Sequence, residues 1–465
     1  MSKIYGNIFT LWFGPYPVII LQGFQAVKDG LTTHPEDVAG RPLLPLFKAV
    51  ANNKDLEAPT RFSMATLKVL GMGKSSLQYQ IQEEAEKLVE EFRKSEGKPM
   101  NPYLALNLAV SNVICALVFG RHFSTEDETF HRLLEAIEKI FSVAGCVMYN
   151  TTPGPAPRLP VRAVRSVFRC FRCNQLGHRA AECPELLPKG RPELSDKSVP
   201  RKPLEKSRAV QQKTKGPKIQ GEGTEPEEGK PSTSIQLVIC DEETAEDPMT
   251  KNQPKSPYDE KNLVQNIFDL FVGGTETPST TLYWALLYMV LYPDIQAKVQ
   301  KEIDTLLPPG QSICYEDRKN LPYTNAVAHE IQRFSNIVSI GVPRYCIRDT
   351  MIQKFHLRKG TIFIPNMASA LHDANEWETP LAFNPNHFLD KEGNFICREA
   401  FVPFSLGHRA CLGENLAKTE LFLFFTNLVQ TFNFHLADGS KDIKLDVIWG
   451  GTLHPHSFEI CAIPR

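Results

Sequence analysis

One short loop near the C-terminus gathers a thiol, a guanidinium and two glycines: Phe404-Ser405-Leu406-Gly407-His408-Arg409-Ala410-Cys411-Leu412-Gly413. Gly407 and Gly413 let the backbone turn tightly and come close to a flat ligand. Cys411 stands just before a helical pattern that opens at Glu414, where the positive end of the helix dipole favours a thiolate, the form of cysteine that ligates metals. Arg409 offers a carboxylate a two-donor fork. Far upstream, Gly273-Gly274-Thr275-Glu276-Thr277 sets an acid and a hydroxyl beside two glycines. Each glycine costs a helix interior ~1 kcal/mol relative to alanine, so something must come close there. Pro278 follows. It removes the amide that would bond the Gly274 carbonyl and disfavours helical geometry at Thr277.

A second thiol cluster reads Cys170-x2-Cys173-x4-His178-x4-Cys183. Three thiolates and one imidazole at these intervals satisfy a closed tetrahedral zinc site, with Gly177 turning the chain before the histidine. Phe171 is placed to stack on an unpaired base, and Arg162, Arg165, Arg169, Arg172 and Arg179 to hold phosphates. The pattern resembles the zinc knuckle of retroviral and retrotransposon nucleocapsid proteins, which implies a single-stranded nucleic-acid partner. Cys115, Cys146, Cys240, Cys314, Cys346, Cys397 and Cys461 have no partner at ligand spacing and read as buried or incidental thiols. Histidines outside the knuckle, His454 and His456 among them, read as surface or satisfied core residues.

The elements that must position these groups are mostly helical. Ser256-Pro257-Tyr258-Asp259 is a helix start, with Ser as cap, Pro in the first turn and an acid three residues on. The apolar pattern then runs to about Leu291, long enough to cross the centre of a large domain. Gln80 to Arg93 and Thr129 to Val143 are amphipathic, as are Asp294 to Leu307, Thr324 to Asn336 and Glu414 to Thr431. Asn7 to Phe13 and Val18 to Gln22 are β-rich stretches around a Gly-Pro-Tyr-Pro turn, and Thr361 to Pro365 is a short strand. The uncharged run from Ile4 to Val27 is broken by Gly14, Pro15, Pro17 and Gly23, so it does not span a membrane. The run from Tyr103 to Gly120 carries Asn107, Ser111 and Asn112 and reads as a buried helix. The expected fold class is mainly α with minor β.

The chain has 465 residues, with 52 basic against 53 acidic side chains. That balance excludes a nucleic-acid binder acting through bulk charge. Scattered cysteines do not form the dense framework of a small secreted protein, which suggests a reducing compartment. From Arg172 to Pro257 there is no Phe, Trp or Tyr, and blocks of basic and then acidic residues follow one another among many prolines. Such a stretch cannot build a packed core and is expected to be disordered. The chain therefore divides at 1–153, 154–253 and 254–465, the middle part an insertion with the knuckle at 168–185 and a linker over 186–253.

The Cys411 loop matches F-x-x-G-x-R-x-C-x-G at every fixed position, and the chain resembles the cytochrome P-450 superfamily, microsomal family 2. Tyr5-Gly6-Asn7, Glu83-Glu84-Ala85 and Ser111 to Cys115 add to the likeness, as does Phe383-Asn384-Pro385-Asn386-His387-Phe388. It covers about residues 1 to 153 and 254 to 465. The resemblance implies haem b ligated by Cys411, lined by Phe404, Gly407 and Gly413, with Arg409 and Arg344 on its propionates. It implies that Glu276 and Thr277 relay protons, and that Glu330 and Arg333 form a buried structural ion pair. It also implies dioxygen and a lipophilic small-molecule substrate (fatty acid, steroid or xenobiotic), with electrons from NADPH through a flavoprotein reductase. The implied location is the cytoplasmic face of the endoplasmic reticulum membrane, held by peripheral contact, with the cytoplasm as the alternative because the family's N-terminal anchor does not appear in the sequence. Leu56 and Thr60 stand where the family has a Trp-x-x-x-Arg clamp, leaving Arg61 to substitute, and the insertion replaces helices that roof the substrate cavity. An alternative function is a catalytically impaired fusion whose zinc knuckle binds single-stranded nucleic acid.

Overall fold

The computed structural model describes residues 2–13, 15–42, 75–124, 127–149, 260–307, 311–437 and 446–465. All lie in one unit, Met1–Ala156 with Thr233–Arg465. Cys170, Cys173, His178 and Cys183, the Ser256-Pro257 helix start, and Leu56, Thr60 and Arg61 fall outside the described residues.

The Gly-Pro-Tyr-Pro turn does join two strands. β1 (Ile8–Phe13) pairs antiparallel with β2 (Tyr16–Leu21), Ile8 opposite Leu21. Helix α1 (Phe24–Thr32) follows, its buried face made by Phe24, Ala26, Val27 and Leu31. The C-terminal half completes the sheet: β3 is Arg344–Tyr345 and β4 is Ile362–Pro365. β2 runs parallel to β4, and β4 antiparallel to β3, in the order β1-β2-β4-β3. This sheet fixes Arg344, which lies opposite Phe363 and is 1% exposed.

The helices form the larger core. α2 (Ser75–Arg93) turns Leu88, Val89 and Phe92 inward as its period requires. α3 (Tyr103–Phe119) is buried from Leu106 to Val118, and Gly120 ends it in the left-handed conformation at φ 63°. No helix among the described residues is long and apolar enough to cross a membrane. α4 (Glu128–Tyr149) extends beyond the amphipathic stretch read from the sequence. The central helix α5 (Glu260–Leu291) packs on α3, where a Cβ on Gly274 would lie 2.6 Å from Ile114 Cδ1. α6 (Pro293–Leu306), α7 (Pro322–Ser335) and α8 (Glu414–Thr431) complete the bundle around Leu282 to Met289 and Phe422 to Phe425.

Pro278 does not disturb Thr277: α5 continues helically through both. Side-chain hydroxyls brace the interrupted turn. Thr277 Oγ1 donates to the Gly273 carbonyl at 2.8 Å, Ser279 to Thr275 at 2.8 Å and Thr281 to Thr277 at 2.8 Å. Burial of Thr275, Glu276 and Ser279 onward holds the helix against the proline's local preference.

Beside α7 lies the ion pair expected at Glu330 and Arg333. Arg333 Nε and Nη2 donate to the two Glu330 oxygens at 2.7 Å each, with both side chains fully buried. The remaining guanidinium hydrogens go to the carbonyls of Leu371, Pro380 and Ala382, each at 2.9 Å, so all five donors are used. His387 Nδ1 lies 3.2 Å from both Glu330 oxygens, while its Nε2 accepts from the Thr379 amide at 3.2 Å. That pattern assigns the ring proton to Nδ1. The segment leading into the Cys411 loop is thereby tied to α7.

Candidate active site

The loop before α8 is held by its own backbone. The Cys411 amide donates to the Phe404 carbonyl at 2.8 Å, and Ala410 to Gly407 at 3.0 Å, closing a hairpin-like turn around Gly407–Arg409. Gly407 sits at φ 72°, and a Cβ there would lie 2.0 Å from the Leu31 carbonyl oxygen. Its need for glycine therefore comes from the end of α1, not from a ligand. Gly407→Ala is expected to destabilise the protein by at least ~2 kcal/mol, since left-handed strain and a backbone clash add. Urea unfolding reads the loss. Gly413 is different: its φ is −90°, no atom lies where its Cβ would be, and its amide faces the Cys411 thiol.

Cys411 is exposed at the surface of the loop, yet desolvation by the surrounding protein pushes its thiol pKa up. The Gly413 amide opposes that rise and Glu414 adds to it. Burial thus outweighs the helix terminus expected to favour the thiolate. Phe404 is half-buried beside Cys411, with the Lys418 ammonium 5.5 Å from its ring centroid.

Three guanidinium groups meet behind this loop. Arg344 Nη2 reaches Ser405 Oγ at 2.9 Å and the Leu406 carbonyl at 3.2 Å, but its buried Nε and Nη1 have no hydrogen-bond partner among the described residues. Arg409 Nε donates to the Ala39 carbonyl at 2.9 Å. The third is Arg41, which the sequence reading missed. It is carried in by the Gly40–Tyr345 bridge, where a Cβ on Gly40 would strike the Tyr345 ring at 2.7 Å. Arg41 is pushed down to about 10 by burial and Arg409, and Arg344 to about 9 by burial, Arg41 and Arg409. Neither Arg41 nor Arg344 meets a carboxylate among the described residues. Such a cluster suits an anionic ligand with more than one acidic group.

On α5 the two glycines divide their roles. Gly274 is required by Ile114, whereas Gly273 is exposed and a Cβ there would meet no atom. Thr277, half-buried, lies one turn on along the Gly273 face. Glu276 points elsewhere and is 1% exposed. Its carboxylate takes Thr452 Oγ1 at 3.1 Å, Tyr103 OH at 3.3 Å and His454 Nε2 at 2.5 Å. The acid and the threonine expected to act together are not directed at one another.

A family model described as Cytochrome P450 matches residues 1–181 and 200–462. The chain belongs to the cytochrome P450 family. Human cytochrome P450 2J2 is 35% identical over 474 residues, spanning 100% of this chain and 86% of that protein. Human cytochrome P450 2C8 is 35% identical over 472 residues, spanning 100% and 88%, and mouse cytochrome P450 2D26 is 37% identical over 478 residues, spanning 100% and 87%. The chain is thus a member of a monooxygenase family of oxidoreductases, and the family implies haem iron, dioxygen and a redox partner. The matched span takes in Cys170, Cys173 and His178, three of the four residues of the knuckle pattern. The residues present fit haem. Arg344 has two buried donors left for a propionate, Arg41 and Arg409 lie beside it, and no atom occupies the Cβ positions of Gly273 and Gly413.

Proposed function

We propose that this chain is a haem-thiolate monooxygenase, and that Cys411 is its iron ligand. The observation that carries the reading is an accessible thiol on the loop that Arg344 of β3 reaches through Ser405, while two buried guanidinium donors of Arg344 stay unpartnered among the described residues. Haem held there supplies the chemistry that puts one atom of dioxygen into a C–H or C=C bond and releases the other as water. Arg344, Arg409 and Arg41 would hold its carboxylates, a set that supports binding where Leu56 and Thr60 replace the usual clamp. Thr277 stands on the open face of α5, where its hydroxyl can carry a proton.

The substrate in this reading is a lipophilic small molecule, a fatty acid, steroid or xenobiotic, and electrons come from NADPH through a flavoprotein reductase. The endoplasmic reticulum membrane is the proposed location. Trp12 and Tyr16, 70% and 66% exposed on the β1–β2 hairpin, suit contact with a lipid interface. The deciding measurement is the spectrum of the reduced, carbon-monoxide-treated protein. A Soret band at about 450 nm is expected for thiolate-ligated haem; a colourless protein, or a band at the shorter wavelength of a neutral ligand, rejects the reading. Zinc at Cys170, Cys173, His178 and Cys183 is a separate proposal supported by spacing alone. A metal determination on the purified chain decides it.

A further inference from the structure

We propose that His454 is a positioning residue that holds Glu276 out of the proton path to the open face of α5; this rests on the monooxygenase reading above. β5 (Val447–Trp449) and β6 (Leu453–Pro455) form a hairpin against α5. Trp284 Nε1 donates to the Leu453 carbonyl at 2.8 Å, and the Leu453 amide to the Ile337 carbonyl at 2.8 Å, so the strand carrying His454 is clamped on both sides. His454 therefore presents Nε2 to Glu276 from a fixed backbone. Thr452 from the same hairpin and Thr280 from the next turn of α5 approach the same oxygen, Oε1, at 3.1 and 3.4 Å. Tyr103 from α3 takes Oε2 at 3.3 Å, and its ring stands edge-on to the imidazole, centroids 5.8 Å apart.

The groups facing the carboxylate are thus Tyr103 on α3, Thr280 on α5, Thr452 and His454 on the hairpin, and Glu138 on α4. Burial raises the Glu138 carboxyl, Glu276 raises it further and His454 opposes. Burial and Glu276 likewise push the Tyr103 phenol up. Both Glu276 oxygens are engaged on this side of α5, while Thr277 bonds its own helix at Gly273. A carboxylate so held has little reason to turn toward Thr277. Two outcomes of the reaction compete for the two electrons of each NADPH. In the coupled one, RH, dioxygen, NADPH and a proton give ROH, water and NADP+. In the uncoupled one, dioxygen, NADPH and a proton give hydrogen peroxide and NADP+. Poor proton delivery favours the second.

His454→Val removes the donor and keeps a residue suited to a strand. With a flavoprotein reductase, NADPH and a lipophilic probe substrate, the peroxide share of NADPH consumed should fall about three-fold or more. His454→Gln, which retains an N–H donor, should restore the wild-type share. A merely structural histidine would give the opposite sign, because a loosened pocket leaks peroxide, and a rise in His454→Val overturns the proposal. In the Glu276→Gln background His454→Val should change the share no further; a full additional effect also overturns it. The second readout needs no reductase. His454→Val should lower the melting midpoint by ~2–4 °C, and this loss should vanish in the Glu276→Gln background; additive shifts show that the two groups do not interact. A wild-type chain without the 450 nm band defeats the monooxygenase reading and this proton path together, while the melting cycle still reports whether the pair exists.

Discussion

Cys411→Ser should abolish the carbon-monoxide band and cut haem content at least ~10-fold, while the haem-free protein melts as before. The loop does not depend on the sulfur: its closure rests on the Cys411 amide bonded to Phe404 and on Gly407 packed beneath Leu31. The side chain itself is accessible, so trimming it should move the stability of the haem-free chain by no more than about 0.5 kcal/mol. What serine cannot supply is the anion. Even the thiol is held above its usual pKa by burial, with Glu414 adding to the effect, so the thiolate needs a cation beside it to form. A hydroxyl, far weaker as an acid, does not ionise there. Absorbance of the purified variant, and its haem content after denaturation, check both halves. A variant that kept the 450 nm band would remove Cys411 from the proposed site.

Elements set by local patterns were legible in the sequence. The hairpin followed from β-rich stretches around a proline turn, and the helix from Glu414 to Thr431 from its period. Tyr103–Phe119 could be recognised as a core helix because Asn107, Ser111 and Asn112 interrupt it with polar groups. The Glu330–Arg333 pair was legible only through the resemblance and its place between the central helix and the Cys411 loop, since i, i+3 pairs of this kind occur on many helices. The effect of Pro278 was overestimated, since local preference says nothing of the hydroxyl braces and burial that keep α5 continuous. Arg41 was missed for a related reason. Its meaning comes from Arg344 and Arg409, about three hundred or more residues away, brought near by a single bridge at Gly40. His454 reads as an ordinary histidine until the β5–β6 hairpin is seen clamped against Glu276. Residues whose role depends on distant partners carry no spacing signal.

Arg333→Met should destabilise the chain by about 3–5 kcal/mol, a large part of the ~5–15 kcal/mol that holds a domain folded. The guanidinium is wholly buried and each of its hydrogens is used: two on Glu330 and three on the carbonyls of Leu371, Pro380 and Ala382. Methionine fills comparable volume but leaves three carbonyls unpaired and a carboxylate buried without its countercharge. The Asn384 amide, bonded to Glu330 at 2.8 Å, and the His387 ring, 3.2 Å from it, cannot fill the guanidinium's place between the carboxylate and the three carbonyls. Lysine should fail nearly as badly, because one ammonium cannot reach three carbonyls and both carboxylate oxygens in the planar fork's geometry. If stranded charge is the chief penalty, Glu330→Gln combined with Arg333→Met should cost less than the two single changes added together. Urea unfolding of the four proteins measures this coupling. Strict additivity would mean that the pair acts through its backbone contacts alone. The effect should also reach the Cys411 loop, because the pair ties α7 to the Pro380–Asn384 segment ahead of it. Haem content in the least damaged variant, corrected for the folded fraction, should therefore fall as well.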